Sequence, residues 1–163
     1  MTSDRTFAPW VKPIAAQIRE GRAQVIRAAR QMLPELWRTP SPLPGWSYQD
    51  VLAHLAVGDW VCQTVLRAAT ANERLDMAAI ADLDGTNERY RQERSGRSVE
   101  ELLKEVETEG DETQELLSRL TEADEHRTQE DAPVSLGEYL RTFPGHDQEH
   151  LAQIRAALDS VML

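Results

Sequence analysis

The chain has 163 residues, 40% of them hydrophobic and 28% charged, enough for one domain (residues 1–163) with an ordinary core. Its 28 acidic residues outweigh 18 basic ones, a net charge of −10 with no Lys- or Arg-rich run, which argues against nucleic acid and anionic membrane surfaces as partners. The one cysteine, Cys62, excludes an internal disulfide or a cysteine-built zinc site, and the lack of a long apolar run, or of an apolar stretch behind Met1, makes the cytoplasm the expected location.

Four long segments carry a helical period. In the first, Val11, Ile14, Ile18, Val25, Ala29, Met32 and Leu36 recur at steps of three and four or their sums. Pro9 or Pro13 suits its first turn, and Pro34 is expected to end or kink it. Thr39-Pro40-Ser41-Pro42-Leu43-Pro44-Gly45 excludes regular helix and reads as a stiff connector. The second segment opens with Ser47 as N-cap and Asp50 in the capping-box position, ahead of an apolar face of Val51, Leu52, Leu55, Val61, Cys62, Val65 and Leu66. Residues 75 to 95 suit one or two shorter helices broken near Asp84-Gly85. A second box, Ser98-Val99-Glu100-Glu101, starts the third segment, whose stripe is Leu102, Leu103, Val106, Thr113, Leu116, Leu117 and Leu120. Acidic Thr121 to Asp131 is expected as a surface loop or frayed end. A third box, Ser135-Leu136-Gly137-Glu138, starts the fourth segment, which runs through Tyr139, Leu140, Phe143, His150, Leu151, Ile154, Leu158 and Val161. With no alternating strand pattern and no internal repeat, the expected fold is all-α: a four-helix bundle with a short helical insertion between helices two and three.

The histidines carry the chemistry. His146 and His150, in His146-Asp147-Gln148-Glu149-His150, are four residues apart, which places both imidazoles on one helix face a turn apart. They line up with the buried stripe, His150 standing seven residues after Phe143 and four before Ile154. His54, three residues after Val51, sits close to the apolar face of helix two. If those helices are neighbours, three neutral nitrogens can converge on one divalent metal and leave its other positions open, the ligand count of a catalytic site. Three imidazoles can equally be hydrogen-bonded core residues, although each unpaired polar group there costs desolvation. Residue content leaves both readings standing.

Asp50, first a capping residue, lies four residues before His54 and so could accept that ring's second N–H. His126, among charged neighbours, reads as a solvated loop residue, and Trp46 and Trp60 as core aromatics. Cys62 reads as core, bordering the site at most. Arg89, Arg91 and Arg94 read as a solvated face, with contact to an anionic cosubstrate as the alternative. Pro144-Gly145, directly before His146, must kink or split the fourth helix, because proline lacks an amide donor and clashes with the carbonyl four residues back. The sharper expectation is that this break aims His146 at the metal and lets something approach closely at Gly145.

Leu43-Pro44-Gly45-Trp46-Ser47-Tyr48-Gln49-Asp50-Val51-Leu52-Ala53-His54-Leu55-Ala56 resembles the helix-two motif of the DinB-like superfamily of four-helix metalloproteins. That group includes the N-terminal domain of mycothiol-dependent maleylpyruvate isomerases. Gly145-His146-Asp147-Gln148-Glu149-His150-Leu151-Ala152-Gln153-Ile154 is similar to its C-terminal metal-binding helix. The motifs stand in the family's order, and the helix spacing matches along essentially the whole chain. The resemblance implies that His54, His146 and His150 are metal ligands, usually for zinc or nickel. It also implies metal-dependent transfer of a low-molecular-weight thiol onto a small-molecule electrophile, such as an epoxide, an activated alkene or an alkyl halide, in detoxification. Activating water instead would make a hydrolase or resistance protein, as in the superfamily's self-protection branch. A non-catalytic metal- or ligand-binding bundle is the third reading, with homodimerisation left open. The sequence holds no counterpart of the separate C-terminal domain of the maleylpyruvate isomerases, so that isomerisation is not the expected reaction. No residue is assigned as a catalytic acid or base.

Overall fold

The structure is a computed structural model and describes residues 5–129 and 134–160. Among the described residues the chain is all-helical, with an isolated backbone bridge between Pro40 and Ser47 and no strand. The helices are α1 (Val11–Ala29), α2 (Tyr48–Thr70), α3 (Leu83–Arg94), α4 (Val99–Ser118), α5 (Leu136–Thr142) and α6 (Pro144–Asp159). Short 3₁₀ turns lie at Pro34–Leu36, Met77–Ile80 and Glu122–Asp124. No helix among the described residues is long and apolar enough to cross a membrane.

Local chemistry sets the helix starts. Ser47, Ser98 and Ser135 each accept from the backbone amide three residues on, while Asp50, Glu101 and Glu138 reach back to the cap's own amide. Each box satisfies two amides that a helix start otherwise leaves without partners. The 39–45 connector doubles back, with the Ser41 amide donating to the Trp46 carbonyl at 2.7 Å and the Tyr48 amide to Thr39 at 3.3 Å. Gly45 supplies the turn at φ +78°, a conformation that favours glycine.

Two expected boundaries move, and a third resolves to one of its two alternatives. Pro34 does not end α1, which stops at Ala29; proline instead opens the following 3₁₀ turn, where its missing amide is harmless. The break near Asp84-Gly85 lies earlier, because the Asp82 carboxylate caps the Gly85 amide at 2.9 Å and starts α3 at Leu83. Of the two outcomes expected at Pro144-Gly145, the helix splits: α5 and α6 meet at Phe143, and Pro144 takes the first-turn position of α6.

α1 packs against α4 and α6, and α2 against α4, α6 and α3, so each long helix buries one face against two others. The core they enclose is divided. One apolar cluster gathers Val25, Met32, Trp37, Leu52, Leu55, Leu102, Val106, Leu151 and Ile154. The other gathers Val11, Ile14, Ile18, Cys62, Leu66, Leu116, Leu117, Leu136 and Leu140. Along α1, α4 and the α5–α6 path, buried polar residues fall between the two clusters: Arg22 on α1, Thr113 and Gln114 on α4, Asp147 and His150 on α6. The candidate site occupies this polar layer.

Candidate metal centre

The three histidines meet. His54 from α2 and His146 and His150 from α6 each offer a ring nitrogen, and these atoms lie within 4.8 Å of one another. The His54 and His146 Nε2 atoms are 3.1 Å apart. Ring centroids are 5.1 Å apart for His54–His146, 5.0 Å for His54–His150 and 4.7 Å for His146–His150. Two nitrogens sharing a zinc-sized ion at about 2.0–2.1 Å stand roughly 2.9 to 3.4 Å apart at octahedral or tetrahedral angles, so the 3.1 Å between His54 and His146 fits a common ion.

The surroundings fit it too. Burial pushes the His54 imidazole down to about 3, the charges on His146 and His150 add to that, and Asn87 of α3 opposes it in part. Burial likewise lowers His150, with His146 adding. Neutral rings are what a divalent ion requires. The Nδ1 of His150 faces the Gln153 side-chain oxygen at 3.0 Å and, against an oxygen that only accepts, donates to it, which leaves Nε2 as the atom that could hold an ion. The Nδ1 atoms of His54 and His146 are buried without hydrogen-bond partners. That of His146 is 3.6 Å from the Asp147 carboxylate.

Asp147 is itself held. Arg22 of α1 meets both its oxygens, at 2.9 and 3.1 Å, and also donates to the Leu55 carbonyl at 3.2 Å. Burial alone would raise the Asp147 carboxyl, but the nearby His146 imidazole and the bonded Arg22 guanidinium outweigh it and keep the group below its usual value. One guanidinium therefore ties α1 to the backbone beside His54 and to the residue next to His146.

Several sequence expectations need correcting. Asp50 does not accept from His54: one of its oxygens caps Ser47 at 2.8 Å and the other faces Arg91 at 3.4 Å. Trp46 is not simply core, since it is half-buried and its ring meets the His54 ring edge-on, 5.3 Å between centroids. Trp60 is half-buried against Tyr90. Arg91 and Arg94 do not form a solvated face, being paired with Glu88 and Asp50 and with Glu105 respectively, while Arg89 is exposed over the Tyr90 ring. Gly145 does not receive a close neighbour, for a side chain there would meet nothing within 4 Å. Cys62 lies in the second apolar cluster, as core, and His126 is exposed, its side chain at 88%.

Sequence reasoning missed Gly58, Arg22, Asp147 and Gln153. Arg22 could have been found, because a charged residue four after Ile18 and three before Val25 sits inside a buried stripe and demands a partner. Gln153, three after His150, is in reach on the same helix face. Nothing in the sequence marks Gly58.

No curated protein and no solved structure matches the chain. The family model described as the mycothiol maleylpyruvate isomerase N-terminal domain matches residues 18–145, a span that includes His54 and ends one residue before His146. By that match the chain belongs to the mycothiol maleylpyruvate isomerase N-terminal domain family, a DinB-like family.

Proposed function

We propose that this protein is a metal-dependent enzyme that transfers a low-molecular-weight thiol to a small electrophile, with His54, His146 and His150 holding one divalent ion. The observation that carries this reading is the 3.1 Å approach of the half-buried His54 and His146 nitrogens beside buried His150. A zinc or nickel ion held there would lower the pKa of a thiol, so that near neutral pH the thiolate sulfur could bond to the electrophilic carbon as an epoxide C–O bond opens, a halide leaves or an activated alkene's π bond breaks, the thiol proton ending on the epoxide oxygen, in solvent or on the alkene's other carbon respectively. The protein's own part is orientation. Gln153 fixes which nitrogen of His150 faces inward, and Arg22 fixes the Asp147 carboxylate beside His146. Trp46 walls one side of the His54 ring. The family description names mycothiol, which supports a thiol over water as the nucleophile.

The test is loss of a model electrophile by protein reconstituted with zinc or nickel, with and without added thiol and with and without EDTA. Turnover that needs both metal and thiol is expected. Turnover without thiol would make the protein a hydrolase. Stoichiometric metal with no turnover across a broad electrophile panel would leave a metal- or ligand-binding bundle.

A further inference from the structure

Gly58 lies four residues after His54 on α2, so the two share one helix face a turn apart. A side-chain carbon built at Gly58 would stand 3.0 Å from both ring nitrogens of His146, and nearer still to the carbon between them, whereas ordinary contacts begin at 3.4 Å. The His146 ring therefore lies against bare backbone of α2. Phe143 stacks on the same ring, 6.1 Å between centroids and 20° between planes.

We propose that Gly58 is a positioning residue of the metal centre. α2 supplies one ligand, His54, and one turn later a missing side chain that lets His146 bring its Nε2 to 3.1 Å from that of His54. The role assigned to metal rests on the three-histidine reading above. Any larger residue must displace the ring by more than 0.4 Å, from under 3.0 Å to the 3.4 Å of ordinary contact. Metal–ligand distances tolerate only about 0.2 Å. The obstacle is the end of a flexible side chain and not backbone, so the ring yields while the helices stay in place. Alanine also favours helix over glycine, so the same substitution moves stability and metal binding in opposite directions.

The test compares wild type, Gly58→Ala, His146→Ala and the double variant, by zinc titration against a competing chelator and by thermal unfolding in excess EDTA. Gly58→Ala is expected to keep or raise its unfolding midpoint in EDTA yet bind zinc at least about tenfold more weakly. The double variant is expected to bind no more weakly than His146→Ala alone, because Gly58 acts through that ring. Wild-type affinity in Gly58→Ala, an equal further loss in the His146→Ala background, or failure of Gly58→Ala to fold would each overturn the proposal. Imidazole NMR spectra in EDTA separate it from the metal reading: the His146 and His54 ring signals should shift in Gly58→Ala. Shifted rings in a protein whose wild type takes up no zinc would sink the metal reading and leave Gly58 as the spacer of the two rings. Unmoved rings would overturn the role of Gly58 whatever the zinc result.

Discussion

Arg22 and Asp147 form a two-pronged ion pair in the interior, 2.9 and 3.1 Å long, with side chains only 6% and 3% exposed. The pair joins α1 to the helix that carries two of the three histidines. Removing one partner strands a buried charge, so Arg22→Met or Asp147→Leu should each destabilise the protein by about 3–5 kcal/mol in urea unfolding. The double variant should recover much of that loss. Single variants within about 0.5 kcal/mol of wild type would show that the pair does not form.

Metal content follows the histidines. Protein purified from zinc- or nickel-supplemented culture should carry near-stoichiometric metal, and His54→Ala, His146→Ala and His150→Ala should each lose most of it while His126→Ala keeps it. Chelator should lower the unfolding midpoint of wild type and leave that of the three variants unmoved, since binding at 100 times Kd contributes about 2.7 kcal/mol to the folded state. Metal retained in all three variants would remove the site assignment.

Gln153 accepts from the His150 ring at 3.0 Å and stands outside the three-histidine cluster. Gln153→Leu should therefore weaken metal binding by about 10- to 100-fold with little change in the stability of metal-free protein. Competition titration beside unfolding in EDTA reads both quantities. An unchanged affinity would mean that another group orients His150.

Gly145 is the contrasting glycine. It sits in the first turn of α6 with open space around it and no positive φ, so Gly145→Ala should be neutral or stabilising by up to about 1 kcal/mol, with metal affinity intact. A tenfold loss of affinity would restore a role for close approach at that position.

Burial holds the Tyr139 phenol above its usual value of 10.0, and neighbouring Cys62 adds to the shift. The folded state thus keeps its proton where the unfolded state has lost it, so the stability linked to this group is complete below pH about 10 and is lost as pH rises beyond it. Tyr139→Phe should lose less stability than wild type between pH 9 and 11, the range about that value. Equal losses would place the phenol in contact with solvent.

Most of the helix framework was legible in the sequence because it is written in local terms. Ser47–Asp50, Ser98–Glu101 and Ser135–Glu138 are three-residue couplings that hold whatever the rest of the chain does. The spacing of Leu102, Leu103, Val106, Leu116 and Leu117 likewise marks a buried face before any partner is known. The shifted boundaries at Ala29 and Asp82, and the choice of a split over a kink at Phe143, are places where a proline or an aspartate had two permissible roles and the neighbouring chain chose one.

The sequence by itself determined the helix starts, the buried stripes and the three histidines that family resemblance singles out. The turn-by-turn spacing of His146 and His150 is a property of one helix. Only the tertiary structure decided that His54 meets them, that Asp50 is committed to its cap, and that Arg22 reaches Asp147 across 125 residues of chain. It also decided which glycine matters. Local sequence drew attention to Gly145 through its proline neighbour, whereas close approach happens at Gly58, because contact between two helices depends on how they cross and not on what either says alone.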